Sequence, residues 1–474
     1  MSFSSITFIW IFLPVLIAGY FIVSILPCKT YVVKNTFLLV MSFIFYLWGD
    51  IRAFPLFCIL ILCCWGGSIL LDNIQNNALK KIIFIILILL NFGSLGYFKY
   101  LNFIVKNVNM IFELNIQQRE AYFPLGISFI VFQAVAYIVD VYRGQIKPEK
   151  NLINFSLYMV LFVQLISGPI VRYNDLKNNL IEREITQSDT LIGIKRFIRG
   201  LAKKVVIADC LGYSVDTILN LDQSQIGSAL AWFVWIGYSM QIYYDFSGYT
   251  DMAIGVGQAL GFRIPENFNL PYLSKSVQEF WRRWHITLSS WFKDYLYIPL
   301  GGNRKGKVRT YINLAIVFAA TGLWHGASWN FVFWGLWHGM FMLIERAGFG
   351  KCLKKNPIKI VNIAYTIGVT FTGWMFFRIS SVSSAFHLIK LMLIPTPKSA
   401  TVAIYYFINP YIMMILIMAV LFCGPLQAVA DKMQFDHNKT LWKIITFASY
   451  VIVLFYSLSQ IVSSTYSAFI YQQF

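Results

Sequence analysis

The chain reads as an all-α protein that crosses a membrane many times. Two observations carry that reading: 58% of its residues are hydrophobic and 13% charged, against about 25% charged in soluble domains, and its apolar runs are continuous over spanning lengths. A membrane β-strand would alternate apolar and polar positions, so a barrel is excluded. The clearest apolar cores are 7–26, 82–97, 152–170, 229–243, 312–323, 360–377, 411–422 and 442–458. A spanning helix needs roughly 20 residues, and shorter pieces fit as tilted or re-entrant helices, which leads to an expectation of about 10–12 transmembrane helices plus re-entrant and amphipathic helices around a central tunnel.

Taken in order, the first run begins near Thr7 with no Lys or Arg ahead of it and no small-residue cleavage site behind it, as expected of a retained span rather than a signal peptide. Lys29 and Lys34 follow it, and the positive-inside rule places that loop in the cytoplasm and the N-terminus outside. The basic clusters at 195–204, 304–309, 351–359 and 432–443 are assigned to the same side, which returns the C-terminus to the outside. The net charge of +18 fits such loops meeting anionic lipid, and a phosphorylated cytosolic ligand is a second use for part of it. No nucleic-acid partner is expected, because no soluble segment carries the charge. Seven cysteines form neither a disulfide framework nor a zinc spacing, and read as small apolar residues.

Three zones follow each other within a single membrane domain, 1–474. Residues 1–120 are hydrophobic hairpins, and 349–474 are plain spans joined by basic or Pro-containing loops. Between them, 121–348 is rich in Gly, Tyr, Trp and polar groups. Pro124-Leu125-Gly126 opens a helix carrying Gln133 and Asp140. The stretch Tyr243-Tyr244-Asp245-Phe246-Ser247-Gly248-Tyr249-Thr250-Asp251 is too polar for lipid and is expected to line the protein interior or a wet cavity. From Arg263 to Arg309 nothing is apolar enough to span. There Glu279, Arg282, Arg283, Ser289 and Lys293 gather on one helical face and Trp281, Trp284, Leu288 and Trp291 on another, which predicts one amphipathic interfacial or re-entrant helix.

Of five histidines, three lie between 285 and 338. An ionisable side chain at membrane depth is costly and marks a functional site by default. The commoner fate of a lone histidine on an apolar helix is nonetheless packing. For His325 the balance moves: it stands between Trp324 and Gly326 near a short turn, where the glycine leaves room for a substrate, and imidazole exchanges a proton near physiological pH. Zinc held by His285, His325 and His338 lacks an acidic or Cys partner at a usual spacing, so no metal is expected. A covalent serine lacks a Gly-x-Ser-x-Gly elbow. Direct transfer remains, with His325 as base on a hydroxyl, an acyl donor in a protein-lined tunnel, and His285 orienting or polarising the donor carbonyl.

Phe280-Trp281-Arg282-Arg283-Trp284-His285, followed by Leu323-Trp324-His325-Gly326 with the second histidine 40 positions after the first, resembles the membrane-bound O-acyltransferase superfamily. PLGISFIVFQAVAYIVDVYRG (124–144), YDFSGYTDMAIGVGQALG (244–261) and FWRRWHITLSSWFKDYLYIPLGG (280–302) are similar to its bacterial branch of alginate and peptidoglycan O-acetylation proteins and teichoic acid D-alanyl transferases. The resemblance covers roughly 90–350 as an acyltransferase core, with 1–89 and 351–474 as flanking helices. It implies transfer of an acetyl group from a cytosolic thioester, acetyl-CoA or a carrier-protein relative, toward an extracytoplasmic polysaccharide. It also implies a bacterial cytoplasmic (inner) membrane location and a separate periplasmic or extracellular esterase-like acetyltransferase as partner. By position, His325 and His285 are the catalytic pair and His338 a structural or accessory residue. Trp281, Arg282, Arg283, Trp284, Tyr244, Asp245, Arg304 and Lys305 are the candidate substrate-binding set, the arginines and Lys305 for CoA phosphates or, equally, lipid headgroups. The rival from another class is a polysaccharide or ion transporter, since intramembrane Asp, Tyr and His serve transport too.

Overall fold

Asn76, Asn151, Ser276, Ser381 and Asn409 each hold the start of a helix by accepting a backbone N–H with the side chain, as short polar side chains do at helix N-termini. The computed structural model describes residues 1–25, 31–120, 122–394, 404–430, 440–464 and 466. Its regular elements are helices throughout, and the chain is an all-α polytopic membrane protein. Among the described residues six helices are long and apolar enough to cross a membrane, Phe8–Ile25, Tyr31–Gly49, Phe54–Asn73, Asn77–Phe112, Lys359–Arg378 and Thr440–Ser463, and Ile127–Tyr142, Val382–Leu393 and Pro410–Phe422 are apolar but shorter. The six described cysteines are free thiols; Cys28 lies outside the described residues, as do Lys29, part of the 432–443 cluster and the C-terminal end.

The helices sort into two compact units, one of Met1–Phe197 and Met252–Pro265, the other of Ile198–Asp251 and the described part of Glu266–Ile470. The first unit holds helices α1 (Leu13–Ile25), α2 (Tyr31–Gly49), α3 (Phe54–Asn73), α4 (Asn77–Leu95), α5 (Leu101–Phe112), α6 (Ile127–Tyr142), α7 (Leu152–Val160), α8 (Phe162–Leu165), α9 (Tyr173–Ile181) and most of α10 (Gln187–Ala202). Its interior is partly polar: Asn35 donates to Asn154 at 2.7 Å and to the Leu180 carbonyl at 2.8 Å, and Gln133 donates to Gln164 at 2.8 Å. The apolar run expected as one span over 152–170 is broken. Leu161 leaves the helical region at φ −54°, ψ 116°, the Phe162 N–H donates to the Ser42 hydroxyl at 3.2 Å, and Pro169 supplies no N–H to continue a helix. Irregular backbone at such a place is tolerated because protein covers it; 154–171 is buried throughout.

The second unit holds α11 (Asp209–Leu219), α12 (Ser228–Ala259) up to Asp251, α13 (Val277–Arg283), α14 (Ile286–Phe292), α15 (Lys307–His325), α16 (Trp329–Ile344), α17 (Gly350–Lys355), α18 (Lys359–Arg378), α19 (Val382–Leu393), α20 (Pro410–Phe422), α21 (Pro425–Ala430) and α22 (Thr440–Ser463). The polar stretch 243–251 is buried inside it, as its composition demanded. Lys204, 2% exposed, bridges Asp209 at 2.6 Å and Asp245 at 2.7 Å, and Lys203 pairs with Asp251 at 2.7 Å. Helices α15 and α16 approach through glycines: a Cβ on Gly335 would strike the Phe318 carbonyl, and one on Gly322 the Phe331 carbonyl. The GLWHG pentapeptides at 322–326 and 335–339 therefore place small residues where two helices touch, the usual close-packing device of membrane helices.

Candidate active site

The predicted amphipathic helix over 279–293 is two helices. Between α13 and α14, His285 occupies the left-handed region at φ 44°, ψ 54°, a conformation that costs a non-glycine residue about 1–3 kcal/mol. Asn267 holds the break. Its backbone carbonyl accepts the Ile286 N–H at 3.0 Å, and its side-chain Oδ1 accepts the Thr287 N–H at 3.3 Å and the Thr287 hydroxyl at 3.0 Å. The same Oδ1 stands 3.1 Å from His285 Nδ1. A backbone N–H can only donate, so the Asn267 atom facing it is the oxygen, and His285 must place its proton on Nδ1. Neutral His285 therefore carries its lone pair on Nε2.

At its far end α13 is held by Glu345, whose carboxylate accepts the Val277 N–H at 2.6 Å and the Gln278 N–H at 3.0 Å. Burial keeps that carboxyl above the ordinary range despite the two donors. Ser276 accepts the Glu279 N–H at 3.0 Å. A short helix that water would leave unformed is thus tied at both ends by partners distant in sequence.

His325 is the last residue of α15 and 1% exposed. Its ring centroid lies 6.5 Å from that of His285, 4.9 Å from Trp334 and 5.2 Å from Phe377, the last two edge-on. Phe246 meets His285 edge-on at 4.7 Å. Gly326 does not open space for a substrate, as the sequence suggested: a Cβ there would run into the Phe331 ring.

The other predicted residues divide. Trp281 and Trp284 belong to the aromatic box, Trp284 against Trp374 at 4.8 Å and Trp281 against His338 at 5.2 Å. His338, wholly buried, also stacks on Phe280 at 6.1 Å. Tyr244 and Asp245 are engaged structurally, the tyrosine donating to the Ala419 carbonyl at 2.8 Å and the aspartate held by Lys204. Arg283 pairs with Glu279 at 2.8 Å and donates to the Asn269 carbonyl at 3.2 Å. Arg304 and Lys305 are exposed on the 301–306 turn. Arg282 alone of the four cations lines the open pocket of this unit, about 920 Å³, whose other walls include Lys275, Gln278, Glu279, Met342, Glu345, Arg346, Lys351, Lys354, Lys359 and Asn362. Among the described residues no set of three His, Cys, Asp or Glu side chains converges on a metal position.

Sequence reasoning missed Asn267, Glu345 and Lys204. Each acts on a residue distant in the chain or on another element, and nothing in its own neighbourhood marks it.

The model of "MBOAT, membrane-bound O-acyltransferase family" matches residues 83–388, a span that contains the whole histidine box. Among curated proteins the chain is 40% identical over 393 residues to the probable alginate O-acetylase AlgI of Pseudomonas putida, covering 81% of this chain and 79% of that one. It is 35% identical over 426 residues to the peptidoglycan O-acetyltransferase of Helicobacter pylori, covering 83% and 80%. To the teichoic acid D-alanyltransferase of Bacillus subtilis it is 32% identical over 231 residues, covering 46% and 58%. Membership displaces the transporter reading: the chain belongs to the membrane-bound O-acyltransferase family and is an acyltransferase.

Proposed function

We propose that this enzyme moves an acetyl group from a cytosolic thioester, acetyl-CoA, across the membrane for O-acetylation of an extracytoplasmic polysaccharide such as alginate or peptidoglycan, through a partner transferase. The observation that carries the reading is the buried pair of imidazoles, 6.5 Å apart, with the tautomer of one set by Asn267. His325 accepts the hydroxyl proton as the new O–C bond forms. The C–S bond breaks, and the proton passes to the departing thiolate, so an ester and a free thiol result. Neutral His285 offers Nε2 as an acceptor. It polarises a donor carbonyl only after taking up a proton itself.

The pocket supports a phosphorylated donor: six of its side chains are cationic (Lys275, Arg282, Arg346, Lys351, Lys354, Lys359) and two acidic (Glu279, Glu345), a balance that draws in polyanions. Its basic rim belongs on the cytoplasmic face by the positive-inside rule, in the bacterial inner membrane with both termini outside. The names of the relatives, alginate O-acetylase and peptidoglycan O-acetyltransferase, support a polysaccharide acceptor; the intermediary of this proposal is an esterase-like acetyltransferase outside the cell membrane. The test is mass spectrometry of envelope polysaccharide from cells carrying the wild type or His325→Ala. Loss of acetyl groups with the variant still inserted is expected. Unchanged acetylation in His325→Ala would sink the assignment.

A further inference from the structure

His338 is 0% exposed, yet neither of its ring nitrogens finds a hydrogen-bond partner among the described residues. The indole nitrogens of Trp281 and Trp334 are likewise buried without one. These three rings touch, Trp281 at 5.2 Å and Trp334 at 5.3 Å from His338. Buried polar atoms are nearly always paired, and each left unpaired costs about 1–3 kcal/mol. Four such atoms in one cluster point to a guest. The rings around His338, namely Phe280, Trp281, Trp334 and Trp374, carry no charge, so the guest is neutral and polar. Two indoles donate, and a neutral imidazole donates once and accepts once. The complement is a group with both a carbonyl oxygen and an N–H.

The cluster also lies along the route from the basic pocket to the histidines. Gln278 and Met342 line that pocket. Trp281 is three residues on from Gln278 along α13, and His338 and Trp334 are four and eight residues back from Met342 along α16, spacings that keep one helical face. Each four-residue step advances about 6 Å, and Trp334 in turn packs against His325. Gly373 leaves the room for His338: a Cβ there would stand 2.7 Å from its Nε2.

We infer that His338, Trp281 and Trp334 form a station for a secondary amide in the arm of the thioester donor, holding the arm while its acyl end reaches His325. This rests on the acyl-transfer reading above, and it applies equally to a coenzyme and to a carrier-protein arm, since both are pantetheine amides. His338 is on this account a positioning residue whose contact is with the donor and not with the reacting carbon.

The experiment compares two acetyl donors with the full-length enzyme in detergent: S-acetyl-N-acetylcysteamine, which carries one amide, and an acetyl alkyl thioester of equal length without it. The wild type is expected to prefer the amide donor about tenfold in kcat/KM, the value of one buried hydrogen bond. His338→Leu is expected to lose that preference, its kcat/KM ratio between the two donors falling to about one, and His338→Gln, which can still donate and accept, to recover part of it. Trp281→Phe carries the same test if His338→Leu does not fold. An undiminished amide preference in His338→Leu or in Trp281→Phe overturns the amide station alone. Transfer from neither donor by the wild type overturns the acyl-transfer reading beneath it, and transfer from both that survives His325→Ala overturns His325 as its base.

Discussion

Replacing Asn267 by Leu, which keeps the side chain's bulk and removes its acceptor, tests whether one residue sets both the break before α14 and the proton on His285. The structure fixes the size of the effect. Three donors lose this acceptor: His285 Nδ1, the Thr287 N–H and the Thr287 hydroxyl. At about 1 kcal/mol for each hydrogen bond removed, the loss is about 3 kcal/mol. That is comparable with the cost of the left-handed turn at His285, so the turn no longer has a reason to persist. A local equilibrium shifted by about 3 kcal/mol changes about 100-fold. Asn267→Asp retains the acceptor and separates loss of hydrogen bonds from loss of shape. The assay pairs acetyl transfer with the rate of thermal inactivation in detergent, because a membrane protein of this size unfolds irreversibly. Asn267→Leu should lose most activity and inactivate faster, with Asn267→Asp nearer the wild type in stability. Equal activity and lifetime in Asn267→Leu and wild type would refute the reasoning.

Three further outcomes follow from contacts described above. Lys204→Met leaves Asp209 and Asp245 buried together without their cation and should destabilise the enzyme by about 3–5 kcal/mol, whereas combining Lys204→Met with Asp209→Asn and Asp245→Asn should recover much of the lost thermal lifetime. Gly335→Ala drives a methyl into the Phe318 carbonyl and should cost about 1–3 kcal/mol through separation of α15 from α16, read as faster thermal inactivation; a neutral result would mean the helix pair is not in close contact. Lys351→Glu with Lys354→Glu reverses two charges at the basic pocket and should raise the KM for acetyl-CoA and flatten its dependence on salt. Unchanged KM in that variant would separate the pocket from the donor.

Much of the function was legible in the chain because lipid imposes strict rules. A residue such as His285 or His325 amid apolar runs is costly enough to announce itself, and continuous apolar stretches announce helices. The polar stretch from Tyr243 to Asp251 had to be covered by protein, and it is. The detailed site was less legible. Periodicity read one amphipathic helix across His285, since the pattern of Trp281, Trp284, Leu288 and Trp291 does not register a single left-handed residue within it. Gly326 was read as room for a substrate, whereas it admits Phe331. The ion pair of Asp245 with Lys204 is not visible in the local sequence, where the aspartate reads only as a candidate substrate ligand.

Composition and motif spacing were sufficient by themselves for the class of protein and its all-helical character, and they singled out the histidines as candidates. They follow from local chemistry: hydrophobicity, helical period and residue type. Tertiary structure alone decided which nitrogen of His285 carries the proton, which cations face a common pocket, and which buried nitrogens around His338 lack partners among the described residues. Those properties belong to contacts between segments far apart in the chain, such as Asn267 with His285 and Glu345 with Val277, and no single segment encodes them.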